Sequence, residues 1–278
     1  GYSRCFVRFL VLARGTRTCV QCSIIMTAMT PAVGLKLLLV GGAGAALGCW
    51  MQSTRAEASV SDKADGRVFL QRVEVVPYSV LGDAMRGGKF VPGVGPPLNQ
   101  HTAFVDPAGL PYVSGQQPPA AAGAASGSIY KWCGLSEADK FPLSVSSSVQ
   151  SPGDAKHHAY GDKHVVHVVG PDFRSRPHSN LEGVQILGQV YSNVLREAAA
   201  SGCQTIRLLP VSGGVFAGDF SADMHHLTMK ALALGFENLS TELQSKVMKQ
   251  DIKMCIFMLD NELGPMRRAH TFAAIASL

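Results

Sequence analysis

The chain has 278 residues, 46% of them hydrophobic and 16% charged, with 25 basic against 20 acidic side chains. That apolar share excludes a wholly disordered protein and leaves room for one large domain or two small ones. Six of the 25 basic residues precede Glu57 and no Asp or Glu does, so from Glu57 onward 19 basic residues face 20 acidic ones. This argues against a nucleic-acid-binding domain, which needs its positive charge on the folded body.

Residues 1–29 read in two ways. They are basic, free of acid and interleaved with apolar groups, the composition of a mitochondrial targeting leader. Alternatively they are untranslated sequence upstream of a start at Met26 or Met29. Within residues 30–52 the stretch Ala32–Met51 is 20 residues long with a single charge, Lys36, close to its start. At 1.5 Å per residue a helix of that length spans about 30 Å, the thickness of a bilayer's hydrocarbon core. Lys36 could snorkel to the headgroups, Trp50 suits an interface, and Gly44 and Gly48 have the spacing of close helix contacts in lipid. The segment is read as a membrane anchor, the other reading being a cleaved targeting segment, and residues 53–65 as a linker. Of the seven cysteines only Cys133, Cys203 and Cys255 fall in the body. An odd, scattered set of three gives no disulfide framework.

In the body, RVFLQRVEVV over 67–76 is β-branched, apolar and ended by Pro77, which predicts a strand. The Gly- and Pro-rich residues 82–101 predict a loop, and Thr102–Val105 a short buried strand. Residues 113–127 (VSGQQPPAAAGAASG) predict a second flexible loop, after which a helix opens at Ser128 and stops at Gly134. HVVHVV over 164–169 predicts a strand ended by Gly170-Pro171. Leu181, Val184, Leu187, Tyr191, Val194, Leu195 and Ala198 recur every three or four residues, so the segment is a helix with one face on a core, closed by Gly202. Thr205–Val211 is a strand. A second helix is expected from a cap at Ser221 to Leu234, with Gly235 past its end, and a last strand over Lys253–Leu259. Strands alternating with helices predict an α/β sandwich with a largely parallel sheet.

Two glycine-rich turns follow strands or open helices, where such a fold receives anionic ligands. The first, GAASGSI over 123–129, brings Ser126, Gly127, Ser128 and Ile129 to a helix start. The second, SGGVFAG over 212–218, contains Ser212, Gly213, Gly214, Val215 and Phe216 directly after a strand. Small side chains let backbone amides approach a phosphate, and the unsatisfied amides of a helix start attract negative charge.

GSIYKWCG at 127–134, HVVHVVGP at 164–171 and LLPVSGGVFAG at 208–218 together resemble, in order and spacing, the motif blocks of the macro domain family. The resemblance covers roughly residues 66–262 and leaves 263–278 as a tail. It implies a three-layer α/β/α sandwich with a mixed, largely parallel six-stranded sheet that binds ADP-ribose or a related nucleotide diphosphate, with Phe216 packing against the distal ribose. Some members hydrolyse ADP-ribosyl esters and others only bind. The polar recognition groups of the family are missing here. Ser79 stands where the family has an aspartate for the adenine, Asp106-Pro107-Ala108-Gly109 stands for Asn-Ala-Ala-Asn, and Ser126 stands where hydrolytic members carry an acid. Gly109 offers no side chain and a serine is no general base near neutral pH, so no catalytic residue is assigned.

No metal or other cofactor is assigned either. His164 and His167 are three apart on a strand and face opposite sides, His157 and His158 fall in a polar loop and His225 and His226 on a helix, so they read as surface or hydrogen-bonded structural groups. The reading is therefore a module that binds ADP-ribose or a related nucleotide diphosphate without catalysis. Two alternatives stand beside it. One is a ligand-free macro fold serving as accessory subunit of a mitochondrial membrane complex, with a membrane and other subunits as partners. The other is an ADP-ribosyl hydrolase with displaced groups, Asp106 or Asp219.

Overall fold

A computed structural model describes residues 64–138 and 140–275. The anchor expected over Ala32–Met51, the leader and most of the linker lie outside the described residues. Among the described residues no helix is long and apolar enough to cross a membrane.

The chain opens with α1 (Gly66–Leu70) and β1 (Val73–Val76), so the strand expected over 67–76 is half helix. Its apolar run is divided by a cap: the Asp65 carboxylate accepts from the Arg67 amide and starts a turn that buries Phe69 and Leu70. The loop expected over 82–101 contains a small hairpin, β2 (Ala84–Arg86) and β3 (Lys89–Val91), turned by Gly87 and Gly88 at positive φ. Next come β4 (Thr102–Ala108), α2 (Leu110–Val113), α3 (Ala124–Cys133) and α4 (Leu143–Ser146). Strands β5 (Ala155–Tyr160) and β6 (Lys163–Val169) form an antiparallel pair, which moves His157 and His158 from the expected loop onto a strand.

Helix α5 (Asn180–Ala200) is capped by Ser179 and ends before Gly202; of its expected stripe only Leu181 is turned to solvent. Strand β7 (Thr205–Leu208) stops short of Pro210, and α6 (Met224–Glu237) begins three residues after the expected cap. Gly235 lies inside α6 instead of ending it. A Cβ there would stand 2.8 Å from the Gly188 carbonyl oxygen and from the Ser192 amide of α5, so this glycine marks the closest crossing of two helices. Then follow α7 (Thr241–Val247), β8 (Asp251–Cys255), shorter and earlier than the strand expected over Lys253–Leu259, and α8 (Gly264–Ile275). The segment read as a tail is thus largely helical, and it buries Met266, Ala269 and Ala273 in the core.

The sheet has six strands in the order β1-β8-β7-β4-β6-β5, parallel except for the edge strand β5. Side-chain alternation along the strands divides the interior into two cores. Ile206 and Leu208 of β7 and Val166 and Val168 of β6 pack beneath α1, α5, α6 and α8, while Phe104, Val165 and Val169 pack beneath α2, α3 and α4 with Tyr78 and Val80. Helices cover both faces, so the described residues form three layers. The parallel strands point their carboxyl ends at one edge, and the connections that follow them form the rim described next.

Candidate functional site

Three connections meet at this edge. Strand β4 runs through Asp106-Pro107-Ala108 to Gly109, which begins α2; the chain then returns through a single 3-10 turn at Pro119–Ala121 to α3. Helix α3 starts at Ala124, four residues before the expected start. Ser126, Gly127, Ser128 and Ile129 therefore lie within its first turns and not in an open loop. Its N-cap, Gly123, has no side chain to satisfy the first amides, which remain available to an anion. Gly127 is required by packing: a Cβ would fall on the Ala122 carbonyl. The Ser126 hydroxyl donates to the Pro107 carbonyl at 3.2 Å, tying the helix start to the end of β4. Ser128 is exposed, and the side chain of Ile129 is fully buried in the core, so Ile129 has only its backbone to offer.

The second turn follows β7, the neighbour of β4. Ser212 is buried, and its hydroxyl donates to the Pro171 carbonyl at 2.7 Å, joining this turn to the end of β6. Gly170 permits that approach, since a Cβ there would collide with the Ser212 hydroxyl. Gly213 is pressed against Pro210, whereas the space a Cβ would take at Gly214 is open. Val215 and Phe216 are exposed at the start of a short 3-10 segment, Val215–Phe220. The Phe216 carbonyl accepts from the Phe173 amide, and the Arg174 guanidinium covers the Phe216 ring at 4.7 Å. Arg174 also grips Asp172 through two nitrogens, which holds that exposed carboxyl down at about 2. Among the described residues only two non-glycine residues have positive φ, Ala124 at +51° and Ser212 at +58°, and they open the two turns. Such backbone is costly for a residue with a Cβ and clusters at ligand clamps.

Several side chains that could do chemistry are otherwise engaged. Asp106 is fully buried, with Oδ2 2.7 Å from Nδ1 of His167; Nε2 of His167 is 2.9 Å from the Tyr160 hydroxyl. Tyr130 stands beside the Asp106 carboxylate, and burial, then that charge, raise its phenol far above the ordinary value. The Ser79 hydroxyl is taken up by a turn, accepting from the Leu81 and Asp83 amides. Gly109 lies beneath the Tyr112 ring, where a Cβ would stand 2.8 Å from Cδ2, so a side chain at 109 would displace that ring. Asp219 is exposed. Asp83, which the sequence signals only by Gly82-Asp83 just beyond a buried strand, brings a half-buried carboxylate to the connection after β1.

The three motif blocks thus converge on one edge of a six-stranded mixed sheet within three layers. That architecture is the one which the resemblance to the macro domain family implies.

No family model matches the sequence. A stretch of 79 residues, 28% of the chain, is 34% identical to polyprotein P1234 of O'nyong-nyong virus, in strain SG650 and in strain Gulu alike, and spans 3% of that polyprotein. Among solved structures, the Trypanosoma brucei macrodomain in complex with ADP-ribose is 17% identical at a TM-score of 0.40, over 61% of this chain and 63% of that one. The Oceanobacillus iheyensis macrodomain with ADP is 15% identical at 0.43, over 62% and 84%. An alphavirus P23pro-zbd structure is 20% identical at 0.39, over 62% of this chain and 21% of that one.

Proposed function

We propose that the chain binds ADP-ribose or a related nucleotide diphosphate between its two turns and does not hydrolyse it. The carrying observation is the pair of backbone turns after the adjacent strands β4 and β7, each opened by a non-glycine residue at positive φ and each lined by small residues. Ser126, Gly127, Ser128 and the backbone of Ile129 form one side of the cradle; Ser212, Gly213, Gly214, Val215 and Phe216 form the other. A diphosphate asks for amides and for closeness of backbone, both of which survive the loss of the polar side chains. Asp83 supplies a carboxylate acceptor on the β1 side of the rim.

Titration calorimetry of the full-length chain with ADP-ribose and with ADP tests this. One-to-one binding is expected, and Gly214→Val should abolish it, because a side chain at 214 meets no protein atom and fills only the open path. Absence of binding by the unaltered chain, or undiminished binding by Gly214→Val, would overturn the proposal.

A further inference from the structure

Arg207 is buried in the middle of the sheet and has no counterion among the described residues. It lies on β7, paired on one side with Phe104 of β4 and on the other with Lys253 of β8, and it is 2% exposed. Its neighbours Ile206 and Leu208 face the core under α5 and α6, so alternation turns Arg207 to the opposite face. Among the described residues no carboxylate pairs with it; the nearby acids, Glu74 and Asp251, are both bound to Lys253. Burying a cation that way carries a desolvation penalty that no ion pair repays.

What the guanidinium holds is one excursion of the chain. Nη1 donates to the Val80 carbonyl at 3.1 Å and Nη2 to the Pro96 carbonyl, so one planar fork joins two limbs that are 16 residues apart. Its face lies over the Tyr78 ring at 5.2 Å, and a Cβ at Gly95 would stand 2.5 Å from that same ring. The Gly95 amide donates to the Gly82 carbonyl at 2.9 Å, a second tie between the limbs. Nε has no partner among the described residues, so the two terminal nitrogens alone hold the carbonyls.

The clamped excursion carries Asp83 and the β2–β3 hairpin, on which Phe90, 58% exposed, is turned to solvent. It rises from the carboxyl end of β1, on the rim that bears the two turns. A ligand whose phosphates lie at β4 and β7 and which extends toward β1 meets this excursion as its wall. We propose that Arg207 is a positioning residue that fixes the Tyr78–Pro96 excursion as the wall for the part of the ligand beyond the phosphates. The inference rests on the nucleotide reading above and adds to it the residue that holds the wall in place.

The test compares ADP with inorganic pyrophosphate on the full-length chain, by competition or by calorimetry, in the unaltered protein and in Arg207→Met. The expected result is a loss of at least tenfold in ADP affinity with pyrophosphate affinity unchanged within twofold, accompanied by faster amide exchange confined to residues 78–96. Arg207→Lys, which keeps the cation and gives up the fork, should show the same contrast with a smaller loss, and it decides the matter if the methionine variant does not fold. Parallel loss of both ligands, or loss of neither, overturns the positioning role while leaving the cradle in place. An unaltered chain that binds neither overturns the nucleotide reading, and this inference with it.

Discussion

At the scale of single residues, interior polar groups are held by partners within the fold. Asp106 Oδ2 pairs with His167 Nδ1 on the adjacent strand, and Tyr160 extends the chain at the sheet edge, while Asp106 Oδ1 has no hydrogen-bond partner among the described residues. Asp106→Ala should therefore cost about 1 to 3 kcal/mol, the penalty of a buried donor left without its acceptor, measurable as a lower denaturant midpoint with an unchanged slope; an unchanged midpoint would show that the pair contributes nothing. His157 makes a different prediction. Its Nε2 is 3.1 Å from Nδ1 of His164 with the ring planes nearly parallel and the centroids 5.3 Å apart, which is an end-on hydrogen bond and not a face-to-face stack. Burial, then the neighbouring His164, lowers His157 from 6.5 to about 4, with His158 and Lys156 acting the same way and Glu197 opposing. The folded state thus binds this proton less readily than the unfolded one, so the stability associated with it is present above pH 6.5 and lost as pH falls toward 4. His157→Gln should flatten the stability profile in that window; an equally steep profile in the variant would assign the acid sensitivity to another group.

At the scale of elements, packing decides what local pattern leaves open. Gly188 and Gly235 let α5 and α6 approach backbone to backbone, so Gly235→Val should destabilise the fold by about 1 to 3 kcal/mol or more through overpacking, and thermal denaturation would reveal it. A melting temperature equal to that of the unaltered chain would mean that the crossing can widen freely. The same glycine shows why part of the fold was not legible: a glycine after a helical stripe is the signal of a helix end and equally that of a close crossing, and only the partner helix tells them apart. The buried strands β4, β6 and β7, the long helix α5 and the glycine-rich turn after β7 could be read directly, since run length, periodicity and glycine placement are local properties, whereas most of the first glycine-rich segment belongs to α3. Helix α1 was hidden because its β-branched continuation dominates the stretch, although Asp65 marks its start. The hairpin was hidden because two strands of three residues each vanish in a Gly- and Pro-rich segment. Arg207 had no local signal at all. An arginine in TIRL reads as an exposed strand position until the carbonyls of Val80 and Pro96 arrive from more than a hundred residues away.

At the scale of the whole molecule, the question is whether the assembled rim can turn a ligand over as well as hold it. Hydrolysis needs a carboxylate or an imidazole within reach of an attacking water and free to take its proton. Around the cradle, Asp106 is sealed in the core with His167, Asp172 is held by Arg174, and the Ser126 hydroxyl is spent on the Pro107 carbonyl. Gly109 contributes nothing, and the Tyr112 ring stands where a side chain at that position would lie. Of the carboxylates, that leaves Asp219, exposed within the 3-10 segment after the second turn, and Asp83 on the β1 side; of the imidazoles, it leaves His178, packed against Phe173 and Phe220. General acid–base assistance is worth about 100- to 10,000-fold in rate, well within the range of a mass-spectrometric assay on peptides ADP-ribosylated at acidic side chains. The full-length chain should bind such peptides and release no ADP-ribose above the uncatalysed background, and Asp219→Ala and Asp83→Ala should leave that background unmoved. Release that disappears in Asp219→Ala would place a relocated base on the second turn and make the protein an enzyme; release that disappears in Asp83→Ala would place it on the excursion that Arg207 holds.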